Sequence, residues 1–221
     1  MYESLLCLPY FQGMSKDDIT AILDKVKLEF TTYGDRATIA TRGDECDKFI
    51  ILTKGTITAE ATAADGSYTI TEEHNAPLAI EPYSMFGYST TYKHSYSAKG
   101  ECTVLTIDKS YFLSEFSKQS IFSLNFMNIV SRKVQQIETS IWEYTPTTIE
   151  GCIIKFVAQR CNSLQGPKRI GIKMERLAEI LRETRLNVSR ALNSLQDEGL
   201  VQLGRKEIMI PRLEALIPRI K

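Results

Sequence analysis

The sequence contains few of the side chains that enzyme active sites and metal sites most often use. Its 221 residues include only two histidines, His74 and His94, and five cysteines that lie far apart. No cysteine pair has the CxxC spacing of a zinc or iron–sulfur site, and the odd number argues against a disulfide framework. There is also no P-loop and no GxGxxG motif. The sequence therefore predicts no catalytic residue, no metal site and no cofactor, and an enzyme is the least favoured class.

Long hydrophobic runs are absent as well. No apolar stretch approaches the roughly 20 residues that span a bilayer, and the N-terminal apolar run is too short for a secretory signal. The hydrophobic content of 43% is typical of a globular protein. We expect a soluble, cytoplasmic protein with no membrane partner, built as one large or two modest domains.

The chain has no net charge, but its charges are unevenly distributed. There are 27 basic and 27 acidic residues, of which 14 basic and 7 acidic lie in residues 151–221. This end therefore carries +7, and the remainder, with 13 basic against 20 acidic residues, carries −7. A basic module on an acidic body is typical of a protein that binds a polyanion at one end.

The basic end contains the most informative segment, residues 172–199, whose apolar spacing predicts two short helices joined by a tight turn. In the first helix, Leu177 and Leu181 share one face at an i, i+4 spacing. In the second, Thr184 is placed to cap the helix through its side-chain oxygen. An apolar stripe at i, i+3, i+4 and i+7 follows, formed by Val188, Ala191, Leu192 and Leu195.

The exposed side of the second helix indicates DNA binding. A helix lying in the major groove contacts base edges with its early residues and meets phosphate at its N-terminus. The residues placed to do so are Thr184, Arg185, Leu186, Asn187, Ser189, Arg190 and Asn193. The alternative is an ordinary helical hairpin with a solvated, arginine-bearing face.

A predicted β-hairpin after these helices favours DNA binding over that alternative. Residues 201–203 and 208–210 are short apolar runs around the turn Gly204-Arg205-Lys206. A hairpin directly after a helix-turn-helix is a wing, so this end is predicted to be a winged helix-turn-helix.

The first half of the chain has a different pattern. Residues 1–27 have helical spacing, with Ser15 as the expected N-cap. From Leu28 the pattern changes to short alternating runs, among them 49–55 and 56–63, with a strong hairpin signal at Asp65-Gly66. Many short strands at close spacing predict a small antiparallel barrel or roll.

After Asp108 the pattern is helical again, and this helix carries an apolar seam. Val130, Val134, Ile137 and Ile141 follow the 4-3-4 spacing of a and d positions. We expect this helix to pair with its copy in a homodimer. The alternative is that it packs onto the protein's own barrel.

Together these patterns predict an α+β fold in three parts. Residues 1–115 form an N-terminal antiparallel β-roll, residues 116–144 a long dimerisation helix and residues 145–221 the winged helix-turn-helix. Pro146 ends the long helix and marks a hinge.

This order resembles the family of the cyclic-AMP receptor protein and the FNR regulators, the Crp/Fnr family. In the roll, Phe86-Gly87 is similar to the start of the family's phosphate-binding cassette, and Ala98 with Cys102 to its closing strand. The family's spaced-glycine pattern, in which glycines serve turns between strands, is matched by Tyr33-Gly34, Ile39, Gly43-Asp44, Phe49, Ile51, Gly55 and Ile57. The family's helix-turn-helix is matched by Leu177-Ala178, Val188, Ser189-Arg190, Leu192, Leu195 and Gly199-Leu200-Val201. The resemblance implies a cyclic-nucleotide-binding-like effector domain and a transcription regulator.

The roll departs from the relatives that bind cyclic nucleotides. In those relatives a glutamate follows the cassette glycine, and an arginine later pairs with the cyclic phosphate. Here Tyr88 stands in the place of the glutamate, and Tyr92, beside Lys93, in that of the arginine. Tyrosine cannot supply the planar, doubly hydrogen-bonding match that arginine gives to phosphate. We therefore expect an effector pocket at Phe86, Gly87, Tyr88 and Tyr92 that does not bind cyclic AMP in the usual way.

Other sensing schemes have less support. An FNR-like cluster needs several cysteines near the N-terminus, where only Cys7 lies. His74 has two interpretations, a haem ligand or an ordinary surface histidine. The tyrosines at 83, 88, 92 and 96 are interpreted either as the lining for a flat ligand or as packing. A small-molecule effector of unknown identity stays open.

The recognition surface departs from the family as well. The family commonly shows arginine, glutamate and a later arginine, which here correspond to Arg185, Leu186 and Arg190. Both arginines can donate two hydrogen bonds to guanine, whereas the methyl groups of Leu186 suit a thymine methyl. The turn holds Arg182-Glu183 where a glycine is often found.

We expect a homodimeric, sequence-specific DNA-binding transcription regulator whose partners are double-stranded DNA, a second copy of the chain and RNA polymerase. The alternative is a ligand-binding or scaffold protein whose winged helix mediates protein contacts.

Overall fold

The computed structural model describes residues 5–142 and 145–220. The chain forms two compact units. The β-roll unit comprises Met1–Thr58 and His74–Ile141, and the winged-helix unit comprises Ala59–Glu73 and Trp142–Lys221. Among the described residues, no helix is both long enough and apolar enough to cross a membrane.

The β-roll unit begins with a 3-10 helix at Pro9–Phe11 and helix α1 at Lys16–Leu23. Ser15 is the N-cap of α1, as predicted. Its side-chain oxygen accepts from the Asp18 N–H, and the Asp18 carboxylate accepts from the Ser15 N–H. This capping box satisfies two backbone donors that the first helical turn would otherwise leave unpaired.

The strands of the roll are antiparallel, as predicted. They are β1 (Glu29–Tyr33), β2 (Thr38–Ala40), β3 (Lys48–Thr62), β4 (Tyr68–Asn75), β5 (Leu78–Ile80) and β6 (Ser95–Asp108). Strands β1 and β2 pair with β6, and β5 pairs with β3. The boundary between the two units falls within β3 and within β4.

The prediction of a turn at Gly55 is wrong, because the segments 49–55 and 56–63 belong to one strand, β3. Gly55 has a φ of +90°, and a Cβ there would lie 2.6 Å from the carbonyl oxygen of Glu101 on β6. The glycine is therefore needed for the close approach of two strands, a role that spacing alone does not reveal.

Aromatic rings fill the core where the roll meets its helices. These helices are α2 (Lys109–Ser114), a 3-10 helix (Phe116–Lys118) and α3 (Ser120–Trp142). Ring centroids 5.0 to 6.3 Å apart connect Phe11, Phe49, Phe112, Phe116 and Phe122. The long helix thus begins at Ser120 rather than at 116, since Phe116 lies in a separate 3-10 turn.

The described part of the winged-helix unit contains three α-helices, two 3-10 helices at Leu213–Ala215 and Ile217–Arg219, and one end of the antiparallel sheet. The α-helices are α4 (Ile149–Ala158), α5 (Met174–Leu181) and α6 (Arg185–Asp197). This end of the sheet has the order β4-β7-β9-β8, with β7 at Lys168–Ile172, β8 at Gln202–Gly204 and β9 at Glu207–Ile210. The predicted helix-turn-helix and wing are confirmed.

One strand of this sheet comes from the first half of the chain. Strand β4 pairs with β7 over five residues, from Tyr68 opposite Ile172 to Glu72 opposite Lys168. Ile70 of β4 belongs to the same hydrophobic core as Ile170. The domain boundaries predicted from the sequence, after residue 115 and before residue 145, therefore differ from the boundaries of the two compact units. Residues 59–73 belong to the winged-helix unit.

Candidate nucleic-acid interface and effector site

The turn between α5 and α6 is built without glycine. Arg182 takes the left-handed conformation itself, with φ 56° and ψ 40°. Thr184 then caps α6, because its Oγ1 accepts from the Asn187 N–H at 3.2 Å. The predicted cap is confirmed, and α6 begins at Arg185.

One face of α6 is buried in the core, and the residues on the opposite face are therefore directed to solvent. All four residues of the predicted stripe, Val188, Ala191, Leu192 and Leu195, are buried. On the opposite side, Arg185, Leu186, Arg190 and Asn193 are exposed, and Leu186 keeps 58% of its surface accessible. Leu186 and the two arginines therefore form the solvent-facing side of α6.

The remaining predicted DNA-contacting residues lie at the first turn of α6 or just behind it. Thr184 is exposed, while Asn187 and Ser189 are half-buried. The Asn187 side-chain amide donates to Glu183 Oε2 at 3.2 Å. Asn187 therefore has a structural partner in the free protein.

The cations around α6 differ in how strongly they are paired. Arg185 Nε lies 3.2 Å from Glu175 Oε1, an exposed ion pair that leaves the terminal guanidinium nitrogens available. Within the described residues, Arg190 of α6 and the wing residues Arg205 and Lys206 form no ion pair with a carboxylate.

A cleft of about 270 Å³ lies between the N-terminal ends of both helices and the wing. Lys173, Arg185 and Lys206 contribute its positive charge, and Glu175 and Glu207 its negative charge. The lining thus has an excess of one positive charge, and Glu175 is already paired with Arg185.

Strand β4 and the turn before it are attached to the helix-turn-helix by polar contacts that the sequence did not reveal. Arg176 of α5 donates to Asp65 Oδ2 at 2.8 Å and to Ser67 Oγ at 3.1 Å. Arg160, after α4, donates to the Tyr68 hydroxyl at 2.9 Å. No local pattern links these residues, which are about a hundred positions apart in sequence.

A buried ion pair lies beneath the same strand. Lys168 Nζ is 3.1 Å from Glu72 Oε2, and both side chains are almost completely buried. Glu72 also accepts from the backbone N–H groups of Asn162 and Ser163, and Lys168 donates to the Gln165 carbonyl. The charges are thus compensated by hydrogen bonds, as burial requires.

The four predicted effector-pocket residues have different surroundings. The Phe86 ring packs 5.4 Å from the Phe112 ring and 5.8 Å from the Phe126 ring. Tyr92 is buried, and burial raises its pKa above the usual value. Gly87 and Tyr88 are exposed, and Tyr88 is fully in solvent, contrary to the expectation that it lines a pocket.

The polar centre of the roll is Glu81, which the sequence reading missed. It is 3% exposed and accepts hydrogen bonds from Ser84, Lys93, His94 and Tyr96. In the sequence, the only indication of such a site is the nearby histidine and tyrosines, residue types that can hydrogen-bond a buried carboxylate.

The apolar seam of α3 is largely exposed in the described chain. Val134, Ile137 and Ile141 each keep more than half of their surface accessible, and Val130 is half-buried. Leu124 and Met127 extend the exposed apolar face toward the start of the helix. Val134, Ile137 and Ile141 therefore do not pack onto the protein's own roll, which was the alternative to pairing with a second copy.

A β-roll followed by a long helix and a winged helix-turn-helix with an exposed, arginine-bearing second helix is the architecture of a class of winged helix-turn-helix proteins with an N-terminal β-roll domain. Comparison with known families agrees with this class. Residues 30–119 match the Cyclic nucleotide-binding domain, and residues 153–219 match the Crp-like helix-turn-helix domain.

Known proteins are similar over the whole chain. A CRP-like cAMP-activated global transcriptional regulator of Mycobacterium tuberculosis is 21% identical over 232 aligned positions, covering all of both chains. The Thermus thermophilus catabolite activator protein is similar in fold at a TM-score of 0.53 and 18% identity, covering 96% of this chain and 98% of that one. The c-di-GMP responsive regulator CLP of Xanthomonas campestris also scores 0.53, at 14% identity, covering 89% and 99%.

The chain is a member of the Crp/Fnr family of transcription regulators. This family consists of regulators and not of enzymes.

Proposed function

We propose that this chain is a homodimeric, sequence-specific DNA-binding transcription regulator in which α6 enters the major groove. The observation that carries the proposal is the exposed arc of α6, where Arg190 has no carboxylate partner among the described residues and Arg185 has only one at the surface. The exposed wing cations Arg205 and Lys206 are suited to the adjacent phosphates.

Different residues take different roles in this proposal. Arg185 and Arg190 donate two hydrogen bonds each to guanine, and Leu186 contacts a thymine methyl. Thr184, Asn187, Ser189 and Asn193 complete the surface as shorter polar contacts.

The dimer in this proposal forms through the exposed seam of α3. An apolar helix face of this length is costly to leave in water, and pairing with a second copy removes it. A two-fold axis along this helix then presents two α6 helices to successive major grooves.

The effector and the further partner follow from family membership and from the departures described above. The relative from M. tuberculosis is named as cAMP-activated, but Tyr92 is buried and Tyr88 is fully exposed here. We expect the roll not to bind cyclic AMP in the usual way, and a small-molecule effector of unknown identity stays open. RNA polymerase is the expected protein partner.

The experiment that tests DNA binding begins with selection of genomic fragments by the purified chain, with and without metabolite extract. Affinity for the selected duplex and for a scrambled duplex is then measured between about 50 and 200 mM salt. The selected duplex should bind more tightly, and log K should fall steeply with log salt because phosphate contacts release counterions.

A matched pair of variants makes the test sharper. Arg205→Ala on the wing should lower the salt slope by about one for each wing, hence about two for the dimer, and weaken both duplexes alike. Lys16→Ala, which removes an exposed cation from the β-roll unit, should change neither. A shallow slope that is equal for both duplexes would favour the scaffold alternative instead.

A further inference from the structure

Glu81 occupies an unusual position in the β-roll unit. It lies between β5 and the 3-10 helix Pro82–Met85, and only 3% of its surface is exposed. Its backbone is left-handed, with φ 39° and ψ 46°, which is unfavourable for a residue with a Cβ. The fold therefore holds a charged side chain inside the roll at a conformational cost.

Four donors converge on the Glu81 carboxylate, two on each oxygen. Oε2 accepts from Ser84 Oγ at 2.9 Å and from the Lys93 backbone N–H at 2.8 Å. Oε1 accepts from the Tyr96 hydroxyl at 3.0 Å and makes a short hydrogen bond with His94 Nδ1. A carboxylate offers about four acceptor sites, so this set satisfies it completely.

The arrangement favours the ionised form of Glu81. Burial by itself would raise the pKa of this carboxyl, but the hydrogen bonds from His94, Lys93 and Ser84 outweigh burial and lower it. The Glu81 carboxylate is thus surrounded by donors from Lys93, His94 and Tyr96, which follow the 3-10 helix in sequence, and from Ser84 within that helix. Its negative charge lies away from water. This is the environment that binds a free oxyanion.

The Lys93 ammonium does not take part in this environment. Its Nζ donates to Ser89 Oγ at 2.9 Å and to Thr91 Oγ1 at 3.3 Å on the exposed side of the segment. Only the backbone N–H of Lys93 faces Glu81.

We propose that Ser84, the Lys93 N–H, His94 and Tyr96 form an oxyanion-binding site, and that the Glu81 carboxylate is its built-in ligand. While Glu81 is in place, it keeps small carboxylates and phosphate out of the roll. An effector that must place an anion at this position is therefore excluded while Glu81 is in place. This inference is independent of DNA binding.

The test removes the built-in ligand and supplies a free one. Thermal unfolding of the full chain is followed with sodium formate, acetate or phosphate, each against sodium chloride at equal ionic strength. Glu81→Ala should unfold at a lower temperature than the parent chain in chloride, because two buried and two part-buried donors lose this acceptor. Its unfolding temperature should then rise saturably with formate, whereas that of the parent chain should not.

Two further variants show whether the anion binds at this site. Glu60→Ala, which removes an exposed carboxylate, should respond to formate no more than the parent chain. Adding Tyr96→Phe to Glu81→Ala should weaken the formate response about tenfold, since a hydrogen bond to a charged group is lost.

The result that would overturn the site is a folded Glu81→Ala chain whose response to all three anions equals that of the parent chain. If Glu81→Ala does not fold in chloride, it should fold when formate is present. If Glu81→Ala fails to fold in formate, in acetate and in phosphate, the proposal is overturned too. A site that lacks only its anion should be restored when a free anion is supplied.

Discussion

Arg190, which faces DNA in the proposed complex, contributes little to the fold, so its effect on binding can be separated from an effect on stability. Val188 and Leu192 are fully buried and hold α6 in the core. Arg190 lies between them in sequence, is exposed and forms no ion pair within the described residues. Replacing Arg190 should therefore change binding without unfolding the helix.

We predict that Arg190→Ala weakens the selected DNA site by about one to two orders of magnitude for each half-site, since a bidentate guanine contact contributes roughly 1–3 kcal/mol of discrimination. Binding to a scrambled duplex should stay nearly unchanged in the same titration. Arg205→Ala serves as the phosphate-contact comparison. Equal losses on both duplexes would show that Arg190 contacts phosphate rather than bases.

Arg182 stores backbone strain at the turn of the helix-turn-helix, because a left-handed residue with a Cβ costs roughly 1–2 kcal/mol. We predict that Arg182→Gly raises the free energy of unfolding by about 1 kcal/mol, after the greater freedom of glycine in the unfolded chain is subtracted. Urea unfolding measures this change. Arg182→Ala keeps the Cβ and should give no gain; an equal gain from alanine would mean that the arginine charge, and not strain, is responsible.

At the scale of elements, strand β4 is the feature that most changes the picture of the DNA-binding end. It supplies a sheet partner for β7, and the turn before it holds Arg176 of α5 through Asp65 and Ser67. The Glu72–Lys168 pair lies buried where β4 and β7 meet. The helix-turn-helix therefore depends on residues that precede it by about a hundred positions.

We predict that Lys168→Met lowers the free energy of unfolding by about 3 kcal/mol, because it leaves the Glu72 carboxylate buried without its cation. The double substitution Lys168→Met/Glu72→Gln should recover much of the loss in urea unfolding. Arg219→Ala removes an exposed partner of Glu198 and should have little effect. If the double variant is no more stable than Lys168→Met, the charge of Glu72 is not the cause.

The seam of α3 makes a second prediction at this scale. Val134→Glu/Ile137→Glu places two charges in the proposed dimer interface, where their desolvation is unfavourable. Sedimentation should show monomers that bind DNA poorly, because the paired recognition helices about 34 Å apart are lost. Gln135→Glu/Gln136→Glu, off the seam, should remain dimeric. A Val134→Glu/Ile137→Glu chain that is still dimeric would exclude this seam as the interface.

Considered as a whole molecule, the chain shows which features can be predicted from local sequence. Thr184, Asp65-Gly66 and the wing were predictable because caps and turns depend on a few neighbouring residues. Gly55, Glu81 and the Glu72–Lys168 pair were not, since each depends on partners far away in the sequence. The separate 3-10 turn at Phe116 was missed because core packing, and not helical spacing, places that ring.

The roll as a whole should reject cyclic AMP. Moving a cyclic phosphate out of water is costly unless a cation and several hydrogen bonds replace its hydration. Lys93 directs its ammonium to Ser89 and Thr91, and Tyr92 is buried. We predict no heat of binding in calorimetry at micromolar cyclic AMP. A micromolar dissociation constant that Lys93→Ala abolishes, and Lys54→Ala does not, would show that the lysine has replaced the family's arginine.

The pairing of β4 with β7 also has a consequence for how such a chain can change over time. Recombination that exchanged DNA-reading ends between two regulators at residue 145 would separate β7 from residues 59–73. Residues 145–221 moved into another regulator would carry Lys168 away from Glu72 and leave the edge of β7 open and prone to association. New DNA specificity is therefore more accessible to this protein through substitutions on the exposed side of α6 than through exchange of the entire end.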